Sequence, residues 1–235
     1  MSGSIISPDL RARVRGLAEP IARGFGRLGL TPNHLTLIGF GVAIVAAVAA
    51  AQQAWLAAGV LVIFGGVFDL FDGALARATG RVSKLGAFYD SVFDRWGEGV
   101  VYVGIAWGCA AAGFGEGAVL ATAALASAVM VSYARAKSES LGFTPGAGMA
   151  SVGLAPREVR LVILTIGLGA VGIAGPVGPW TFWCPSDQLA ISCVAPDAYH
   201  VGDVTLAIPL GLIALLATVT TIQRILHVRA QARED

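Results

Sequence analysis

The chain has 235 residues, 56% of them hydrophobic and 13% charged, with a formal net charge of +1 and a mean hydropathy of +0.74. That composition excludes an ordinary soluble domain; the net charge says nothing about partners, because the placement of charges matters more than their sum, and no nucleic-acid partner is expected. A polytopic membrane protein with one integral domain is what remains.

Residues 1–30 precede the first long apolar run. Within them Leu10, Val14, Leu17, Ile21 and Phe25 recur at helical spacing, with Arg11, Arg15 and Glu19 elsewhere around the wheel. Ser7-Pro8 is a cap followed by a first-turn proline. The segment is Arg-rich and has no continuous apolar core ahead of a cleavage site, so it reads as a cytoplasmic amphipathic helix lying in the interface rather than as a secretory signal.

Residues 31–235 form the integral domain. About 20 apolar residues cross a bilayer as a helix. Leu35 to Phe68 is uncharged and long enough for two, with a turn near Gln52-Gln53. Further apolar runs cover Gly99–Gly115, Gly117–Ala134, Leu161–Ala174 and Val204–Gln223, which makes six predicted transmembrane helices and an all-α fold. Arg and Lys residues fall before span one, between spans two and three, between four and five, and after six. The connections near residue 53, near 115 and from 176 to 203 have none, so the positive-inside rule puts both termini in the cytoplasm.

Asp69 and Asp72 end the second span, and Asp90 and Asp94 open the third. Spacings of +3 and +4 put each pair on one helix face, and a short connection brings the two helices together as antiparallel neighbours. Carboxylates at the end of a lipid-embedded helix are costly without a positive partner, which makes them a functional-site hypothesis. Taken singly, each Asp would sooner pair with Arg77, Arg81 or Arg95 in an interfacial salt bridge. The spaced set favours a centre for hard divalent cations, Mg²⁺ above all, or Mn²⁺ or Ca²⁺. Two such ions can hold a diphosphate and stabilise the charge of phosphoryl transfer. Gly73 and Gly86 let backbone approach a bulky anion, and Arg77 offers a fork for phosphate oxygens.

The run Asp69-x2-Asp72-Gly73-x2-Ala76-Arg77-x8-Gly86-x3-Asp90-x3-Asp94 resembles the signature of the CDP-alcohol phosphotransferases at every fixed position. In that family an acceptor hydroxyl cleaves a CDP-linked lipid at its diphosphate and releases CMP. The resemblance implies that Asp69, Asp72 and Asp90 ligate two Mg²⁺ ions, Mn²⁺ being possible, and that Asp94 shares the second ion and takes the acceptor's proton. It implies that Gly73, Arg77, Ser83 and Gly86 contact the CDP-lipid. The turn Thr31-Pro32-Asn33-His34-Leu35 resembles a nucleotide-contacting segment through Pro32 and Asn33, and its cap reading is compatible with that role. A homodimer in a prokaryotic plasma membrane, with the active site facing the cytoplasm, is also implied.

Arg135 and Lys137, Arg157 and Arg160, and Arg224 stand at cytoplasmic ends of later spans, where together they suit the phosphate of an acceptor. Each alone is an ordinary positive-inside residue. Tyr133-Ala-Arg-Ala-Lys137, the run from Arg160 and Gln223-Arg224 resemble bacterial phosphatidylinositol phosphate synthases of that family. The expectation is therefore transfer of the phosphatidyl group from CDP-diacylglycerol to myo-inositol 1-phosphate. Glycerol 3-phosphate, the acceptor of phosphatidylglycerophosphate synthases, is the alternative. A cation transporter with an aspartate-lined cytoplasmic mouth is the rival of another class, but no internal repeat or midplane charge supports it. An inactive lipid-binding relative would not need all four acids and Arg77. Cys184 and Cys193 share the long extracytoplasmic loop with Trp180, Trp183 and Tyr199, as a disulfide or as free thiols; Cys109 reads as a packing residue in mid-span.

Overall fold

A computed structural model describes residues 19–143, 152–178 and 200–233. Among the described residues the chain is all helical, with no strand. The helices are α1 over residues 19–27, α2 (Pro32–Ala51), α3 (Trp55–Ala78), α4 (Lys84–Ala111), α5 (Gly115–Ser140), α6 (Arg157–Ala174) and α7 (Val201–Gln231). The expected positions from Ser7 to Leu17 of the amphipathic segment lie outside the described residues, as do Trp180, Trp183, Cys184, Cys193 and Tyr199.

Local sequence explains where the helices begin and end. Thr31 caps α2: its hydroxyl accepts from the His34 amide at 3.3 Å, and its own amide donates to His34 Nδ1. Pro32 then takes the first turn, where its missing N–H costs nothing. The break between α2 and α3 falls at Gln52 and Gln53, where Gln53 adopts φ of 62°. Ser83 caps α4 by accepting the Gly86 amide at 3.0 Å. The helices at the charged end run beyond the apolar runs, because Asp69 to Arg77 and Lys84 to Glu98 continue the same helices.

Each long helix packs mainly against two others, and the six close a ring in the order α2, α4, α5, α7, α6, α3. This corrects one expectation from the short connection: α3 and α4 are not principal neighbours, because α2 packs against both. Small residues permit it. A Cβ on Gly39 of α2 would lie 3.3 Å from Phe68 Cβ of α3, and one on Gly97 of α4 would lie 3.3 Å from Ala43 Cβ of α2. Further along the same seam, Gly104 faces the Ala47 carbonyl and Gly108 the Ala50 carbonyl too closely for any side chain. Gly104→Ala is therefore expected to cost about 1–3 kcal/mol by overpacking. The check is the thermal midpoint in detergent, with Gly41→Ala, which has open space around it, leaving the midpoint unmoved.

The interior of the ring is filled by Tyr102 and Ile105 of α4, Leu164 and Leu168 of α6, and Leu206, Leu210 and Ile213 of α7. Cys109 is fully buried in the same core. Large apolar side chains such as Phe64, Trp107, Ile166, Ile173 and Leu215 point outward instead. An apolar exterior of this extent is what lipid, not water, accepts. Four helices, α2, α3, α5 and α7, are long and apolar enough to cross a membrane. By that measure α4 and α6 fall short, since α4 carries Asp90, Asp94, Arg95 and Glu98 up to about its midpoint and α6 carries Arg157, Glu158 and Arg160 in its first turn. The described part of α1 packs on the charged end of α3, with Ala22 buried and the Phe25 ring 5.6 Å from that of Phe71.

Candidate functional site

Asp69 and Asp72 lie in the last turns of α3 and Asp90 and Asp94 in the second and third turns of α4, all at the end where α2 and α6 begin. One carboxylate oxygen from each of Asp69, Asp72 and Asp90 lies within 4.8 Å of the others. The donors are hard oxygens from three helix-borne side chains, a set suited to a hard divalent cation. Asp72 is 4% exposed, and its Oδ2 accepts a 2.6 Å hydrogen bond from Thr36 Oγ1 of α2. That bond fixes the carboxylate's orientation, as outer groups commonly do for metal ligands.

Asp94 adjoins this trio through Asp69, with which its carboxyl is in side-chain contact. Its Oδ2 accepts from Arg157 Nη1, which also donates to Asp69 Oδ2 at 2.6 Å. Arg157 is the first residue of α6, so one guanidinium ties α6 to both α3 and α4 across the ring. The site then opens into a cleft lined by Phe40, Phe93, Asp94, Glu98, Arg157 and Leu161, among others. Polar groups crowd one end and apolar side chains the other.

The other predicted residues divide. Pro32 and Asn33 open α2, Gly73 and Arg77 close α3, and Ser83 and Gly86 open α4, so all six stand at the carboxylate end. A Cβ on Gly86 would lie 3.1 Å from Ser83 Oγ and 3.4 Å from Asn33 Oδ1. Those three residues therefore converge across two turns of chain. The Arg77 guanidinium folds back over Gly73, where an added Cβ would lie 3.3 Å from Nη1, and it makes no ion pair among the described residues.

The five basic residues do not share one role in the packing. Arg157 faces the aspartates. Arg160 is fully buried and forks onto Glu98, with Nε to Oε1 and Nη2 to Oε2 both at 2.7 Å. Arg224 is buried as well and donates to the Val131 and Val152 carbonyls, at 2.5 and 3.1 Å. Arg135 pairs with Glu139 on the exposed side of α5 at 2.8 Å, and Lys137 is exposed without an ion pair among the described residues. Counting charges by loop shows which side they are on and not what they touch.

Two residues of the site escape the sequence reading. Thr36 carried no signal, since one hydroxyl in an apolar helix is ordinary. Glu98 did carry one: Asp90, Asp94 and Glu98 follow at i, i+4 and i+8 on one face of α4, opposite Arg157 and Arg160 at i and i+3 on α6.

Residues 29–185 match the family model described as CDP-alcohol phosphatidyltransferase. Among curated proteins, the chain is 37% identical over 160 residues to an archaetidylinositol phosphate synthase of Pyrococcus horikoshii, covering 67% of this chain and 79% of that one. It is 35% identical over 187 residues to a phosphatidylinositol phosphate synthase of Mycolicibacterium smegmatis, covering 78% and 82%. Among solved structures it resembles the phosphatidylinositol phosphate synthase PgsA1 of Mycobacterium tuberculosis in complex with manganese and citrate. That match has a TM-score of 0.70 and 28% identity, covering 90% of this chain and 88% of that one. The same protein with CDP-DAG bound matches with a TM-score of 0.70 and 28% identity, covering 90% and 92%.

Proposed function

Since the chain belongs to the CDP-alcohol phosphatidyltransferase family, we propose that it transfers the phosphatidyl group of CDP-diacylglycerol to myo-inositol 1-phosphate, giving phosphatidylinositol phosphate and CMP. The observation that carries this reading is the convergence of Asp69, Asp72 and Asp90, within 4.8 Å, beside an Arg157 that reaches Asp94. Relatives named for inositol phosphate acceptors, and a relative bound to CDP-DAG, support the substrates.

In this reading all six long helices cross the plasma membrane. Both termini and the site face the cytoplasm, the N-terminal segment lies in the interface, and the enzyme works as a homodimer. The positive-inside pattern supports the orientation.

Asp69, Asp72 and Asp90 would hold two Mg²⁺ ions, with Asp94 on the second, and the oxygen-only donor set and a relative's bound manganese fit that assignment. When bound, the ions supply charge neutralisation for the diphosphate and for the departing CMP. The rest is the work of the chain. Asn33, Ser83 and Gly86 form a close-fitting cradle for the CDP moiety, and Arg77, whose guanidinium has no ion pair among the described residues, meets its phosphates. Lys137, Arg157 and Arg224, with Arg135 at the rim, attract the acceptor's phosphate. The acceptor hydroxyl oxygen then forms a bond to the lipid-side phosphorus as the P–O bond to CMP breaks, and the hydroxyl proton passes to an Asp94 carboxylate oxygen. The apolar end of the cleft keeps water from competing for that phosphorus.

The test is CMP release by purified protein with CDP-diacylglycerol and Mg²⁺, in separate reactions with inositol 1-phosphate, glycerol 3-phosphate, inositol and serine. Release is expected with inositol 1-phosphate alone. Release with glycerol 3-phosphate instead would keep the aspartate centre and overturn the acceptor. No release with any acceptor, from folded and metal-loaded protein, would sink the enzymatic reading.

A further inference from the structure

The groups that touch the reacting centre do not hold themselves in place. Asp94 and Glu98 are one turn apart on α4, and Arg157 and Arg160 one turn apart on α6, so the two helices meet through two ion-paired rungs. The outer rung, Asp94–Arg157, is partly exposed, with side chains 15% and 26% accessible. The inner rung is sealed: Glu98 is 3% and Arg160 1% accessible, and the pair is bidentate. Arg160 has a third bond, from Nη1 to the Ala155 carbonyl at 2.9 Å, which ties down the segment leading into α6. Thr220 of α7 grips the same segment, its hydroxyl accepting from the Leu154 and Ala155 amides at 3.0 and 2.9 Å. Only Pro156 separates this segment from Arg157, so the backbone position of Arg157 is set by Arg160 on one side and α7 on the other.

A buried ion pair is a weak source of stability, since apolar residues of similar size often replace one without loss. Its worth here is geometric. We propose that Glu98 and Arg160 are positioning residues that hold the start of α6 against α4, so that the Arg157 guanidinium stays between Asp69 and Asp94. Arg160 then does not meet the acceptor; it acts through Arg157. A guanidinium held over two carboxylates competes with a divalent cation for them and leaves its charge where an anionic acceptor must dock. The pair therefore sets two properties of opposite sign, a weaker cation site and a stronger acceptor site. The acceptor half rests on the function proposed above, and the cation half does not.

The experiment measures Mn²⁺ affinity in detergent, without lipid or acceptor, and separately the KM for each substrate. Arg157→Met is the benchmark and is expected to bind Mn²⁺ about threefold or more tighter, since a competing charge is gone. The double variant Glu98→Met with Arg160→Met keeps an apolar filling in the core. It is expected to shift Mn²⁺ affinity in the same direction and to raise acceptor KM about tenfold, with the KM for CDP-diacylglycerol unchanged. Arg160→Lys keeps the charge but loses the fork and the Ala155 bond; it is expected to move both quantities the same way by less, and it decides the matter if the double variant does not fold. Wild-type values for both quantities in a folded variant would mean that the pair only adds stability, and the proposal falls. A higher acceptor KM with unchanged Mn²⁺ affinity would mean that Arg160 meets the acceptor itself, which also overturns it. If the wild-type protein ignores inositol 1-phosphate, the functional reading fails, and the Mn²⁺ shift alone decides this one.

Discussion

Replacing Asp94 by Asn is expected to slow CMP release by a factor of about 10²–10⁴, the usual worth of a positioned general base. The substitution is nearly isosteric. The oxygen of the introduced amide can still accept from Arg157 Nη1, the partner Asp94 has now, so the outer rung keeps a hydrogen bond while losing its ion pair. What the amide cannot do is take a proton from the acceptor hydroxyl. The loss should therefore fall mainly on kcat; because Asp94 is also assigned to the second ion, the comparison is made at saturating Mg²⁺, where the proton-transfer loss remains. Single-turnover CMP release gives the rate of the chemical step directly. A variant that retains more than a tenth of the wild-type rate would remove Asp94 from the proton-transfer role.

The second large effect is expected at Asp72. Asp72→Asn should weaken Mn²⁺ binding by about two orders of magnitude, because it removes one of three convergent anionic donors from a site that offers only oxygen. Asp72 is the most buried of the trio and the one oriented from a different helix, by the 2.6 Å bond from Thr36. Thr36→Val tests that support separately. It removes the donor but keeps the shape, and a tenfold loss of affinity is expected, at the lower end of about 10–100-fold for outer groups that orient a ligand. Titration of Mn²⁺ against both variants, without substrate, ranks them. Equal losses would mean that the Thr36 bond, rather than the Asp72 charge, governs the site; no loss in Asp72→Asn would exclude it as a ligand.

Much of this was legible along the chain because it is encoded locally. Apolar runs and charge placement mark where helices pass, and the carboxylates at +3 and +4 must share a face on any helix. Thr31-Pro32 was readable as a cap because capping involves neighbours three residues apart, and His34 closes that box. Gln52-Gln53 was readable as a turn because polar residues interrupt an apolar run there. Arg160 shows the limit. Its position at a cytoplasmic helix end is the same whether it faces a ligand or the core, and only packing turns it onto Glu98, 62 residues away in sequence.

The sequence by itself determined the all-helical class, the family signature and which residues gather at one end of the bundle, since these depend on periodicity, composition and spacing within single helices. Tertiary structure alone decided that α2, not α4, lies against α3, that Thr36 orients Asp72, and that Arg157 rather than another base reaches Asp69 and Asp94. Such choices depend on which helix faces approach closely enough, set here by glycines such as Gly39 and Gly97 against Phe68 and Ala43, and no pattern within one helix records its partner.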